Sequence, residues 1–465
     1  MDRIQIYLDI VPLPVAMAGA FFAVLLFLAI PSQYRVFAAL AIMPIWLTLS
    51  RLPNFEVTWM PPAAKITSIM GYSFVGLGAM LHPGPRRELP RFVWLYLVMA
   101  AIAFLYVLRV EDRTVALILR MQWFTLVFAG IMLARTIVTA QDLMRIVNAL
   151  AFGCLLALVL PLSALILFPG ESFMKGGNRF EPYGVNSNQI GMLFALALPV
   201  LAYTGLTTRV SIYKPILLGA AGLTVGMALL TGSRQTLLAI LLVAIPLILK
   251  FSKRPILTIL ALGIGGIGVT YIMGMADQTA LDRFSEFDSE RVVIWELYIR
   301  DVFMQRPLFG LLGISGEEAF KSSVVGMHPH SAYLNMMYMG GLSYLIPMLW
   351  LLWKSVTSTI AVWKSRTQLG CDPLIISILA MLLAAMYIQG LFNQVVYWPT
   401  YTWSFLHIIL ACFFISVAHD LTIEDPALVL PDEDAEYDDA WEDDEGESYE
   451  SLDDEYQDDG YQPAY

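Results

Sequence analysis

The sequence predicts an all-α, polytopic integral membrane protein with 12–13 transmembrane helices, a large outer loop carrying short helices, and a disordered acidic C-terminal tail. Three observations predict it. Of the 465 residues, 58% are hydrophobic and 14% charged, with a mean hydropathy of +0.66, whereas a soluble domain carries roughly 25% charged residues. Apolar runs of about 20 residues, the length that crosses a ~30 Å hydrocarbon layer as a helix, recur along the chain. The polar residues gather between these runs and at the C-terminus. Backbone amides in lipid must be paired within their own segment, so the spans are helical. Gly and Pro inside many of them suit helices packed against one another in a bilayer.

In chain order, spans are expected at 12–30, 36–50, 66–81, 92–109, 114–134, 146–168, 189–206, 213–230, 235–250, 255–275, 332–353, 374–391 and 400–418. The first run, Val11 to Ile30, lacks a basic start and a small-residue cleavage site, so it reads as a span rather than a signal peptide. The weakest is 66–81, which holds Thr67, Ser68, Gly71, Ser73, Gly76 and Gly78. With it there are 13 spans and without it 12, and only the side of the N-terminus depends on the choice. Gly219, Gly222 and Gly226 follow a small-xxx-small spacing along one span, a pattern that serves close helix packing. Gly263, Gly265, Gly266 and Gly268 superficially match a dinucleotide fingerprint, but they lie inside an apolar span with no preceding strand, so close packing is the better reading.

Basic residues in short loops set orientation. Arg86/Arg87/Arg91, Arg135/Arg145, Arg209/Lys214, Lys250/Lys253/Arg254 and Lys354/Lys364/Arg366 alternate with less basic connections. Placing that set in the cytoplasm puts 169–188, the link Thr231–Arg234, the loop 276–330 and the link 391–399 on the outer face. The net charge of −11 is uneven: 20 acids and no Lys or Arg fall between Asp420 and Tyr465, while 28 basic residues meet 19 acids elsewhere, a body of +9. The chain thus divides into a membrane domain, 1–420, and an acidic cytoplasmic tail, 421–465. Like charge at this density opposes collapse into a core; the tail either solvates the protein or docks on a basic cytoplasmic partner. The three cysteines, Cys154, Cys371 and Cys412, show no CxxC or metal spacing, and an odd count argues against a disulfide framework.

The outer face carries the candidate chemistry. His328 and His330 stand where the charged loop ends and an apolar helix begins, and imidazole exchanges protons near neutral pH. Either could instead cap a helix or bond backbone. Arg234, in Thr231-Gly232-Ser233-Arg234-Gln235-Thr236, sits between two apolar runs on the side the charge rule disfavours. Arginine at membrane depth is costly and faces a cavity or the interface; a snorkelling side chain is the plain alternative. Arg291 opens an amphipathic stretch, Val292 to Phe303, that ends at Arg306-Pro307 and reads as an interfacial helix. Arg179 lies in the loop that leads to Asn186-Ser187-Asn188-Gln189, where Asn186 or Asn188 suits a helix cap. Forked guanidinium donors match phosphate oxygens. A histidine beside such cations suits a reaction in which imidazole takes a proton from an acceptor hydroxyl while arginines neutralise a phosphate leaving group. No Asp-rich metal cluster, Walker loop, GxSxG or HExxH is present, so no metal or cofactor is expected, and nucleic acid is not an expected partner.

At these residues the chain resembles the O-antigen ligase and O-antigen polymerase superfamily of bacterial envelope proteins. Thr231 to Thr236 is similar to its Ser-Arg signature opening a helix. Arg291-Val292-Val293-Ile294-Trp295, with Arg306-Pro307-Leu308-Phe309-Gly310 and Gly313, is similar to its Arg…Trp…Pro-Leu-x-Gly-x-x-Gly run. His330-Ser331-Ala332-Tyr333-Leu334-Asn335, with Gly340-Gly341-Leu342, is similar to its His-Asn-x-x-Leu motif and following Gly-Leu. The likeness covers about 180–345. It implies a metal-independent glycosyltransferase of the bacterial inner membrane acting on the periplasmic face, with a polyprenyl-diphosphate-linked glycan as donor and lipid A-core or a second glycan as acceptor. It implies that His330 activates the acceptor hydroxyl and that Arg234 and Arg291 bind the diphosphate. Ser331 stands where the family often has Asn, which leaves open a share of the work for His328. A protein O-oligosaccharyltransferase differs only in its acceptor. A transporter or flippase predicts ionisable residues within several spans and internal repeats; His407 is the main such residue, and no repeat is evident.

Overall fold

In the computed structural model the described residues are 13–49, 60–109, 113–173, 179–252, 290–310, 330–393, 402–423 and 425–431. The expected span 255–275, His328, most of the outer loop, the link 394–401 and the tail from 432 lie outside them. Among the described residues every regular element is helical. The elements are α1 (Leu13–Ala29), α2 (Ser32–Leu49), α3 (Met60–Met80), α4 (Leu95–Ile102) between the short 3-10 turns Arg91–Trp94 and Ala103–Arg109, α5 (Arg113–Arg135), α6 (Ala140–Ala157), α7 (Val159–Leu167), α8 (Ser187–Thr207), α9 (Tyr213–Leu230), α10 (Arg234–Phe251), α11 (Glu290–Leu297) continued by a wider turn at Tyr298–Phe303, α12 (Ala332–Ser365), α13 (Pro373–Phe392), α14 (Thr402–Asp420) and α15 (Pro426–Val429).

Among the described residues, seven segments are long and apolar enough to cross a membrane: Ala140–Leu167, α8, α9, α10, α12, α13 and Trp403–Asp420. The chain is therefore a multi-pass membrane protein in its helical architecture. Packing sorts these segments into layers. α8 and α14 are buried over most of their length and fill the middle, while α9 and α10 bury only about a third and turn apolar faces outward, as lipid-facing helices do. The weakest expected span is a full 21-residue helix, α3. Its glycines serve packing: a Cβ on Gly71 would strike the Trp46 ring, and one on Gly76 would press against Ala129 of α5. By contrast, the stripe Gly219/Gly222/Gly226 faces open space among the described residues. Close approach of helices falls instead at Gly153, against the Ala41 carbonyl, and at Gly191, against Thr236.

Several span boundaries differ from the sequence expectation: 36–50 begins at Ser32, 66–81 begins at Met60, and 92–109 is a short helix between 3-10 turns. The span expected from 146 begins at Ala140, because Thr139 and Asp142 form a reciprocal capping box that satisfies two free amides at the helix start. The span expected to end at 353 continues as α12 to Ser365. At ~1.5 Å per residue its 34 residues outreach the hydrocarbon layer, and Lys354, Lys364 and Arg366 lie on the projecting part.

Side-chain contacts define one basic end of the bundle. Tyr203 Oη, near the end of α8, lies 3.2 Å from Asp372 Oδ2 and 3.4 Å from Met144 Sδ. Lys250, at the end of α10, pairs with Asp372 at 3.5 Å. Arg87 is the hub of the same end and is buried. Its Nε donates to Ile137 O at 2.9 Å, its Nη2 to Val138 O at 3.2 Å and Val429 O at 2.6 Å, and its Nη1 to the Asp420 carboxylate. Phe251 and Ala332, which flank the undescribed stretch 253–289 and loop, fall at opposite ends of the bundle, so the chain changes ends between them. Cys371 sits in the turn between α12 and α13, where burial first, then the neighbouring Asp372 charge, push its thiol up to about 12.

The Arg87 hub also corrects the boundary of the tail. The sequence expectation starts the tail at 421, yet the packed body runs to Pro431. Val429 and Leu430 are apolar and buried, and Pro431 O accepts the Ala140 amide at 3.1 Å. Replacing Asp420 with Ala leaves the buried guanidinium without its counter-charge. The expected cost is about 3–5 kcal/mol, the range for breaking a buried pair, read as a lower Tm of the detergent-solubilised protein. An unchanged Tm would show that the carbonyl ring alone holds Arg87.

Candidate functional site

Three helix starts and one helix end meet at the other end of the bundle. α10 begins with Ser233 as its cap, the Oγ accepting the Thr236 amide at 3.3 Å. The same Oγ donates to Asn188 Oδ1, in the first turn of α8, at 2.6 Å. Gln235 Nε2 donates to Phe392 O, the last residue of α13, at 3.2 Å. Tyr333, in the first turn of α12, donates from its hydroxyl to Tyr387 O, also on α13, at 3.0 Å. The starts of α8, α10 and α12 present amides unpaired within their helices and the positive pole of the helix dipole.

Arg179 is drawn into this cluster. Its Nε donates to Thr231 O at 3.0 Å and its Nη2 to Asn188 Oδ1 at 3.3 Å, while the Phe180 amide donates to Leu230 O at 3.0 Å. Asn188 thus accepts from Arg179 and Ser233 together, and ties the loop 179–188 to the turn that carries Arg234. Asn186 is the α8 cap, its side chain accepting the Asn188 amide at 3.0 Å. Gly232 turns the chain with φ +56°, a conformation that costs glycine little. Arg234 is the first residue of α10 and is exposed.

His330 is exposed and directly precedes Ser331, the cap of α12, whose Oγ accepts the Leu334 amide at 3.4 Å. Its φ is +49°. A non-glycine residue in the left-handed region costs about 1–2 kcal/mol, and such strain clusters at functional sites. Arg291 is on α11, one turn before Trp295; its side chain lies outside the described set. The Trp295 ring stacks on Phe392, with centroids 6.5 Å apart and planes 29° apart. The residue that accepts from Gln235, next to Arg234, therefore also holds the helix that bears Arg291. The described residues bring Arg179 and the Arg234 turn into direct contact. Phe392 links that turn to α11, and α13 links it to the helix start beside His330.

A second feature lies in the motifs but is not visible in either alone. α12 breaks at Gly341, with φ +61° and ψ −157°. The break frees amides that the segment after α11 takes up: Leu342 N donates to Pro307 O at 2.8 Å and Ser343 N to Leu308 O at 3.0 Å. The two backbones touch through glycine. A Cβ on Gly310, itself at φ +58°, would lie 2.3 Å from Tyr338 O, and one on Gly341 would lie 2.5 Å from the Leu308 carbonyl carbon. The Tyr298 and Tyr338 rings, 5.1 Å apart, close the same contact. This clasp fixes 290–310 on α12, the helix whose cap, Ser331, follows His330.

His407 lies elsewhere, buried in α14 against Tyr387, with ring centroids 5.1 Å apart; the Tyr387 hydroxyl bonds Ser355 Oγ at 2.7 Å. Sequence reasoning missed Asn188 as a bridge, Gln235 as the link to α13, and the glycine clasp. For the last, the paired glycines at 310 and 340–341 were the available signal. No family model matches the chain, and no curated protein matches it in sequence.

Proposed function

We propose that the chain is a membrane glycosyltransferase that transfers or polymerises glycan from a polyprenyl-diphosphate carrier at the bundle end that carries Arg234. The observation that supports this reading best is an exposed arginine at the positive pole of a helix. A cation there is disfavoured by about 0.3–1 kcal/mol, and Arg179 adds a second positive charge beside it. A dianionic diphosphate reverses the sign of both terms, since helix starts and guanidinium groups are donors for phosphate oxygens. In the proposed reaction the acceptor hydroxyl attacks the sugar carbon bonded to the carrier phosphate. His330 takes the hydroxyl proton, the new glycosidic C–O bond forms, and the sugar–phosphate C–O bond breaks. The electron pair leaves on the carrier diphosphate, held by Arg234 and Arg291. On this reading the site end is the periplasmic face of a bacterial inner membrane, the basic end is cytoplasmic, and the chain spans 12 or 13 times.

The test is transfer in proteoliposomes with a polyprenyl-diphosphate-linked oligosaccharide. Arg234→Gln is expected to lower kcat/KM by about 10²-fold, the scale for removing one preorganised donor to a developing anion. Undiminished transfer would overturn the diphosphate assignment. The acceptor is read from a deletion strain: long polymer retained on its lipid carrier marks a ligase, single repeats a polymerase, and loss of glycan from protein an oligosaccharyltransferase.

A further inference from the structure

We propose that the acidic segment 432–465 docks back on the basic end of its own chain and neutralises it. Two independent observations carry this. The first is where the segment starts. The chain before it is pinned: Val429 and Leu430 are buried, Arg87 bonds Val429 O, and Pro431 O accepts the amide at the start of α6. Pro431, the last residue before the segment, therefore lies beside Ala140, one turn from Met144 and, through Tyr203 and Asp372, close to Lys250. The second is charge. That end exposes Arg86, Arg91, Arg145, Arg209, Lys214 and Lys250. Its described acids are few: Asp142 completes a capping box and pairs with Arg145 at 3.3 Å, Asp372 caps α13 and pairs with Lys250 at 3.5 Å, Asp420 is held by Arg87, and Glu88 and Asp425 are exposed. Arg86, Arg91, Arg209 and Lys214 are thus the cations of this end that form no ion pair with a carboxylate among the described residues. The segment 432–465 carries 17 acids and no Lys or Arg.

Tethering decides between this surface and others. A chain of this length has a root-mean-square reach of roughly 30 Å, and like charge lengthens it, so the whole basic end is within range. Attachment gives its acids a millimolar effective concentration there, which a free partner in dilute solution does not have. An anionic bilayer surface repels the segment, and the nearest cations are those of its own body. Docked, it screens guanidinium groups that would otherwise bind anionic headgroups. None of these residues belongs to the proposed transfer site, so the inference stands or falls apart from that reading.

The test uses the full chain in neutral-lipid nanodiscs, as an equal mixture of ¹⁴N- and ¹⁵N-labelled protein, treated with a zero-length carbodiimide. Expected are links from acids of 432–465 to Lys214 or Lys250 within one isotope, falling at least several-fold between 0.05 and about 0.5 M salt, as screening of exposed charges requires. Arg86→Gln with Arg145→Gln should lower their yield. Links only between isotopes, which would mean a neighbouring copy, overturn the proposal. So do no links at low salt, or links indifferent to salt.

Discussion

Replacing His330 with Asn is expected to lower glycan transfer by about 10²–10⁴-fold, the contribution of a positioned general base, while protein level and Tm stay at wild type. Asn is the informative choice because it tolerates the left-handed backbone that this position adopts and keeps a polar tip, yet cannot take up a proton. His330→Gly goes further. It removes the imidazole and also relieves the φ of +49°, so it should be as inactive as Asn but stabler by about 1 kcal/mol. A gain in stability with a loss of transfer is the signature of strain kept for function. Wild-type turnover in either variant would remove the histidine from the mechanism.

Gly341→Ala is expected to have the largest structural effect of any change at the bundle end that carries Arg234. The φ/ψ pair of +61° and −157° belongs to a region that is essentially glycine's alone, at a cost of order 1–3 kcal/mol for other residues. The added methyl would also lie 2.6 Å from both Gly310 N and Leu308 O. One backbone has to withdraw, and the bonds from Leu342 and Ser343 go with it, at about 1 kcal/mol each. The segment 290–310 then loses its seat. Tm should fall by several degrees, trypsin should cut at Arg300 or Arg306 in intact spheroplasts, and transfer should drop even though no proposed reacting group has changed. Gly219→Ala is the matched control: its Cβ meets nothing among the described residues, and a helical Gly→Ala exchange stabilises by up to about 1 kcal/mol. Equal Tm values for the two variants would mean that the clasp carries no load.

The sequence was most legible where one physical term dominates. Long apolar runs have a single good solution in lipid, and seven of the expected spans are helices long and apolar enough to cross a membrane, whereas 92–109 is a short helix between 3-10 turns. Their ends were less legible because other terms set them. Thr139 and Asp142 start a helix six residues early by capping, and α12 passes Lys354 because its far end leaves the hydrocarbon layer. The tail boundary differs for a related reason: Val429 and Leu430 belong to a short apolar stretch, 426–431, flanked by acids, and their burial depends on distant contacts with Arg87 and the start of α6. At the site, Arg234 stood out because a cation on the disfavoured side breaks a local rule. Asn188, Gln235 and the Gly310–Gly341 contact broke none. Each acts through a partner more than 30 residues away, and a single chain read in order does not show which distant backbone it will touch.

The way α8 and α14 are placed bears on how the proposed lipid-linked donor would reach the site. With those two helices filling the middle of the described bundle, the long prenyl chain of the proposed carrier would meet packed side chains there. The carrier would slide in sideways from the bilayer along the sparsely covered flanks of α9 and α10, headgroup first at the arginine turn, and back out by the same route once its sugar is gone.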